Sequence, residues 1–189
     1  FSWQNTVLLH GPSGTGKSTL ALALAQRLAI LLVDLYDEAK LIQIKAHRLF
    51  THMWGETSKK VGELFAAIAK LAVDRTRILV VVLDEVEDLV GERGGATHEN
   101  EPMDVIRVTT NEVLRGLDRY QNLENVVFLF TSNMLKELDS AFVDRCSIKE
   151  AINDPGHNAV FKILQCEVKK LIASKLLACD EPIDSQSAV

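Results

Sequence analysis

The run Gly11-Pro12-Ser13-Gly14-Thr15-Gly16-Lys17-Ser18 fits the spacing G-x-x-x-x-G-K-[ST]. That spacing makes a phosphate-binding loop. Glycines let successive backbone N–H groups curl around an anion, because only a residue without Cβ passes cheaply through the dihedrals required. The helix opened by Ser18 and Thr19 then turns its positive N-terminal end on the same phosphates. Lys17 reaches the β and γ phosphates and the Ser18 hydroxyl ligates Mg²⁺. The motif demands a strand before it and a helix after it, and the sequence supplies both in Thr6-Val7-Leu8-Leu9-His10 and Thr19-Leu20-Ala21-Leu22-Ala23-Leu24-Ala25.

Four further positions are candidates for the chemistry that such a loop needs. Asp84 ends the apolar run Ile78–Leu83, where a carboxylate can hold Mg²⁺ or its water shell beside Ser18. Glu85 follows it and would face the γ phosphate, placed to orient and deprotonate an attacking water. Asn133 closes a second apolar run, Val126–Phe130, after Thr131 and Ser132. Its amide would orient that water, although an Asn after a strand also commonly marks a turn. Arg145 is the final Arg in the chain. It reads either as half of a surface ion pair or as an arginine finger offered to the nucleotide of a neighbouring subunit.

The elements that must position these groups follow from hydrophobic patterning. A helix is expected from the loop to about Ala29, then an irregular connection over 30–40, and a short strand at Leu41–Lys45. A loop bearing Met53, Trp54 and Gly55 follows. Trp54 reads as an exposed aromatic beside a flexible glycine or as core packing. Apolar residues at Val61, Leu64, Phe65, Ile68 and Leu71 recur at helical spacing and predict a helix over about 58–73. Ile78–Leu83 is a continuous β-branched stretch, as in a strand buried on both faces of a parallel sheet. Pro102 should open the next helix, a short helix should start near Leu135, Ile148–Ile152 should form the last strand, and 157–177 should be an amphipathic helix. Alternating strands and helices imply an α/β fold of three layers around a parallel sheet of five strands, with ligand at the carboxyl ends of the strands. Asp154-Pro155-Gly156 breaks the chain ahead of that last helix.

Composition bounds the rest. The 189 residues, 47% of them hydrophobic, suffice for one substantial core. A net charge of -5 offers no basic field for nucleic acid, so no direct nucleic-acid partner is expected. Cys146, Cys166 and Cys179 lack metal spacing and are odd in number, which fits a reducing intracellular compartment. His47, His52 and His98 show no ligand spacing and read as ordinary surface or loop residues. No apolar run approaches a membrane span, and a chain that starts at Phe1 and enters a strand almost at once reads as a partial domain.

With these elements in hand the chain resembles the AAA+ ATPase module, and within it the pachytene checkpoint protein 2 family, also called the thyroid receptor interactor 13 family. The resemblance rests on Gly11–Ser18, on Leu79–Leu89 (LVVVLDEVEDL), on Glu101–Val108 (EPMDVIRV), on Thr131-Ser132-Asn133 and on Leu138–Arg145 (LDSAFVDR), within about residues 5–175. It implies a P-loop NTPase fold with the start of a small helical lid: an AAA+ large ATPase subdomain over 1–153, then a partial helical lid and polar tail over 154–189. It further implies a ring homo-hexamer that hydrolyses ATP with Mg²⁺ to pull on HORMA-domain proteins through an adaptor, in meiotic chromosome control and the spindle checkpoint. The compartments implied are the nucleus, its chromosomes and the cytoplasm. Residue by residue it makes Lys17 and Ser18 the phosphate and Mg²⁺ ligands, Asp84 and Glu85 the Walker B pair, Asn133 the first sensor, Arg145 the arginine finger, and Met53-Trp54 the pore loop that grips substrate. The sequence departs from the family at Ser13, where a Pro is frequent, and at Cys146-Ser147, where Ala-Asp is usual. No Arg follows residue 145 to serve as the second sensor. These departures keep open an alternative, a nucleotide-binding scaffold or fragment with little ATPase activity.

Overall fold

The computed structural model describes residues 5–50, 55–91, 103–120 and 123–177. The chain divides into two compact units, Phe1–Ile152 and Asn153–Val189.

The first unit is built on five parallel strands: β1 (Thr6–His10), β2 (Glu38–Lys45), β3 (Arg77–Asp84), β4 (Val126–Ser132) and β5 (Ile148–Ala151). Their order across the sheet is β2-β3-β4-β1-β5. The two strands richest in β-branched and aromatic residues, β3 and β4, occupy central positions and are buried almost throughout. Register then fixes the functional edge. Leu83 lies opposite Phe130, and His10 opposite Ser132, so β1, β3 and β4 end side by side.

Side-chain alternation along the strands feeds two cores, one on each face. On one face Leu79, Val81, Leu83, Phe128 and Phe130 pack with Val61, Phe65 and Ile68 of α2 (Glu56–Ala72) and with Val113, Leu117 and Tyr120 of the helix Met103–Tyr120. On the other, Ile78, Val80, Val82 and Leu129 meet Ala21 and Ala25 of α1 (Lys17–Leu31). Alanine at those contacts lets that helix lie close to the sheet. The result is the three-layer α/β sandwich read from the sequence. Between β3 and the long helix of 103–120 lies a single turn, α3 (Glu87–Val90), so the long helix is α4. α5 (Ser140–Arg145) precedes β5.

Several boundaries differ from expectation for identifiable reasons. β2 begins at Glu38 rather than Leu41, because parallel pairing with β3 continues out to Glu38 opposite Arg77 and the two side chains form an ion pair at 2.6 Å. A polar start suits an edge strand. α1 runs two residues past Ala29, to Leu31. The segment beginning at Leu135 is a 3₁₀ turn, Leu135–Glu137, and the helix lies further on. Asp139 nucleates α5 by accepting the Phe142 N–H at 3.2 Å. The second unit contains α6 (His157–Ala173), four residues shorter than expected. Among the described residues no helix is long and apolar enough to cross a membrane.

One close approach tests the packing. A Cβ built on Gly116 in α4 would sit 2.5 Å from the Phe65 ring, itself confined by Tyr120 and Phe128 at centroid distances of 6.1 Å each. Gly→Ala inside a helix ordinarily stabilises by up to about 1 kcal/mol. Here we predict the opposite sign, a loss of roughly 1–3 kcal/mol for Gly116→Ala from overpacking. Urea unfolding checks it, and a variant as stable as the parent would contradict this packing.

Candidate active site

The loop between β1 and α1 is shaped by backbone before any side chain acts. Gly11 has φ 144°, and a Cβ there would lie 2.1 Å from the Ile152 carbonyl oxygen, so only glycine fits. The Gly11 N–H donates to the Ser132 carbonyl at 3.2 Å, stitching the loop to the end of β4. Gly16, at φ 91°, turns the chain into α1. Pro12 and Thr15 set the loop's interior. The Thr15 hydroxyl donates to the Pro12 carbonyl at 3.0 Å, and Lys17 Nζ donates to the carbonyls of Gly11 at 2.8 Å and Pro12 at 2.6 Å.

Beside this loop, Asp84 Oδ1 accepts two hydroxyls at once. Ser18 Oγ donates to it at 2.5 Å and Thr131 Oγ1 at 2.5 Å. One carboxylate oxygen thus joins α1, β3 and β4. Thr131 also accepts the Glu85 N–H at 3.1 Å through its hydroxyl, and its carbonyl accepts the Val86 N–H at 3.0 Å. These two bonds hold Glu85 at φ 60°, a left-handed conformation uncommon for a non-glycine residue and found mostly where neighbouring structure enforces it.

A cavity of about 320 Å³ opens here, lined by Ser13, Gly14, Gly16, Lys17, Ser18, Thr19, Asp84, Glu85, Thr131 and Asn133. Asn133 is fixed through its main chain, whose N–H donates to Glu87 Oε1 at 3.1 Å. Glu87 is itself only 7% exposed. The cavity therefore brings together the lysine, the hydroxyl, both acids and the amide singled out in the sequence. A larger, mainly apolar cavity of about 470 Å³ between α1 and β2 contains none of them.

Arg145 does not line the cavity. Its Nε donates to Asp118 Oδ1 at 2.7 Å, its Nη2 to Asp118 Oδ2 at 3.1 Å, and its Nη1 to the Ala141 carbonyl at 2.9 Å. The paired hydrogen bonds hold the Asp118 carboxyl below its ordinary range and raise the Arg145 guanidinium above its own. Cys146, next in sequence, is buried, and that burial pushes its thiol up to about 12. Met53 and Trp54 lie outside the described residues.

His47 is exposed at the surface, as expected, and on the 3₁₀ turn Ala46–Arg48 after β2 its Nδ1 also comes within 3.4 Å of Glu85 Oε2. No spacing in the sequence could announce this, because the contact depends on Lys45 of β2 pairing with Asp84 of β3. The sequence assigns no role to the Thr131 side chain, although a Thr-Ser pair closing a buried, apolar run is a signal for one. Glu87 and Asp118 carried no signal in the sequence.

The arrangement offers one oxygen-rich side and one cationic side around a glycine-lined cavity, a layout suited to a polyphosphate with a hard divalent cation. Residues 7–154 match the AAA family, the ATPase family associated with various cellular activities. The chain belongs to the AAA family. It is 40% identical over 176 residues to the pachytene checkpoint protein 2 homologue of Danio rerio and 41% identical to that of Homo sapiens. In each case the match takes in 93% of this chain, which spans about two fifths of the relative's length: 41% and 40%. Among solved structures, C. elegans PCH-2 superposes with a TM-score of 0.75 at 32% identity, over 95% of this chain and 44% of that one. The five-stranded parallel sheet is thus the sheet of an AAA ATPase.

Thr131 is 1% exposed, and its hydroxyl has two hydrogen-bond partners. Thr131→Val removes it while keeping the shape, leaving the Glu85 N–H without that acceptor, at a cost of about 1–3 kcal/mol. Urea unfolding should show this loss, and Thr131→Ser should recover most of it. A valine variant as stable as the parent would contradict the hydrogen-bond assignment.

Proposed function

We propose that this chain is the ATP-binding and ATP-hydrolysing engine of a ring-forming protein remodeller. The observation that carries this reading is the convergence of Lys17, Ser18, Asp84, Glu85 and Asn133 on one cavity of about 320 Å³. In this reading the loop amides of 11–18 and the end of α1 bind the β and γ phosphates, and Lys17 exchanges its two carbonyl partners for phosphate oxygens. Ser18 and Asp84 are hard oxygen donors within 2.5 Å of each other, a donor set that fits Mg²⁺. Bound there, the ion would neutralise charge on the β and γ oxygens.

Asn133 would hold the attacking water in line with the γ phosphorus. The Glu85 carboxylate would take that water's proton as the new P–O bond forms and the bond to the bridging oxygen of the β phosphate breaks. Arg145 would act in trans, its guanidinium reaching the γ phosphate bound by a neighbouring copy in a homo-hexamer. An arginine supplied in this way raises phosphoryl-transfer rates by about 10³–10⁵. Resemblance to the pachytene checkpoint proteins supports HORMA-domain clients reached through an adaptor, a pore loop at Met53-Trp54, action in the nucleus and cytoplasm, and residues 154–189 as the start of the lid.

A second reading, a nucleotide-binding scaffold with little turnover, draws on one observation: the Glu85 carboxylate stands 3.4 Å from His47 rather than clear of any partner. The two readings part on turnover. Lys17→Ala should lose ATP binding in calorimetry, whereas Glu85→Gln should keep it and lower the rate of phosphate release by at least about 10². Equal phosphate release by the parent chain and by Glu85→Gln would sink the hydrolytic reading and leave the scaffold.

A further inference from the structure

We propose that His47, Glu85 and Asp88 form a second cation site beside the phosphate cavity, one that takes Zn²⁺ and differs in chemistry from the hard oxygen pair of Ser18 and Asp84. The site itself does not depend on what Glu85 does in turnover. Its effect on turnover rests on the reading of Glu85 as the base.

The three side chains come from two stretches of chain. His47 stands on the 3₁₀ turn after β2, Glu85 follows the end of β3, and Asp88 lies in α3. Among the described residues, one ligand atom from each of these three comes within 4.8 Å of the others. The imidazole sets this group apart from a cluster of acids. A nitrogen ligand suits Zn²⁺, whereas Mg²⁺ demands an octahedron of oxygens.

The spacing supports the same ion. His47 Nδ1 and Glu85 Oε2 are 3.4 Å apart, longer than the N–H···O hydrogen bond of about 2.7–3.2 Å. Zn–N and Zn–O bonds of about 2.0–2.2 Å put two ligands of one tetrahedral ion roughly 3.3–3.6 Å apart. Asp88 starts further off, within a gap that rotation of an aspartate side chain can close. Three protein ligands then leave the fourth position of the tetrahedron to water.

Both stretches are anchored beneath the group. Ala46, next to His47, is fully buried in the same core as Val86 and Leu89, which follow Glu85 and Asp88. Lys45 pairs in register with Asp84, so the two turns leave the sheet side by side. The Leu49 N–H closes the first turn on the Ala46 carbonyl at 2.9 Å, and the Asp88 N–H closes the second on the Glu85 carbonyl at 3.2 Å. With the backbone already in place, binding orders side chains alone and its entropic cost is small.

Folding stability does not account for the grouping. The His47 and Glu85 side chains are 52% and 48% exposed, and pairs so open to solvent contribute little. Two carboxylates gathered this closely repel each other, and a dication between them replaces that repulsion with attraction. An ion held there would occupy the lone pairs with which Glu85 accepts a proton from water. Zn²⁺ would therefore stop turnover while leaving the glycine loop free to bind nucleotide.

Calorimetric titration of Zn²⁺ into this chain, with Mg²⁺ in large excess, tests the site. The chain carries Cys166→Ser and Cys179→Ser so that thiols do not compete. One Zn²⁺ should bind per chain. His47→Ala, Asp88→Asn and Glu85→Gln should each weaken it by at least about tenfold, because loss of even an outer-shell partner costs about 10–100-fold. Circular dichroism confirms the fold of each, and three variants cover one that does not fold. An affinity unchanged in any folded variant overturns the three-ligand site, as does no binding at all. Phosphate release from Mg·ATP then reads the consequence separately, and Zn²⁺ should suppress it in the chain with all three ligands. Zn²⁺ that binds at these residues yet leaves phosphate release unchanged keeps the site and overturns Glu85 as the base.

Discussion

The Asp84 carboxylate is the point on which the site hangs. It is 7% exposed, and one of its oxygens takes hydroxyl donors from Ser18 and from Thr131. A buried carboxylate without partners would be costly, so the fold must bring both hydroxyls to it. In satisfying it, the chain fixes three segments that are far apart in sequence: the start of α1, the tip of β3 and the end of β4. Thr131 then passes the constraint on, holding Glu85 in its left-handed turn.

Parallel register makes that convergence possible. Because β1, β3 and β4 all run the same way and end level, each contributes its carboxyl-terminal residues to one edge, where the glycine loop and the head of α1 also lie. Helices on both faces leave that edge as the place where polar groups can gather around a ligand. The arrangement separates two tasks. The cavity gathers the groups that would handle a phosphate bound by this chain. Arg145, outside it, is arranged on α5 with a different rigid support.

Much of this is legible in the sequence. Gly11–Ser18 announces its own conformation, because Gly11 and Gly16 occupy positive φ and a side chain at Gly11 would strike Ile152. β3 and β4 were legible because strands buried on both faces are written as unbroken apolar runs. Legibility failed where tertiary pairing, rather than local pattern, decides. The first residues of β2 look like a polar connection and become strand only because Arg77 stands opposite Glu38. His47 shows no ligand spacing, yet the alignment of β2 with β3 delivers it to Glu85. Arg145 has Asp144 beside it in sequence, but its partner is Asp118, 27 residues away along the chain. α3 was missed because four residues starting with Glu87-Asp88 are too short to show a helical period.

The central claim is that the lysine, the two acids and the amide act on one terminal phosphate. A crystal structure of this chain with Mg²⁺ and a non-hydrolysable ATP analogue tests it most directly. The account predicts Lys17 Nζ withdrawn from the Gly11 and Pro12 carbonyls onto phosphate oxygens, the cation ligated by Ser18 beside Asp84, and the γ phosphate facing Glu85 and Asn133. An analogue bound elsewhere, or a Lys17 still hydrogen-bonded to its own loop with the triphosphate in place, would contradict it.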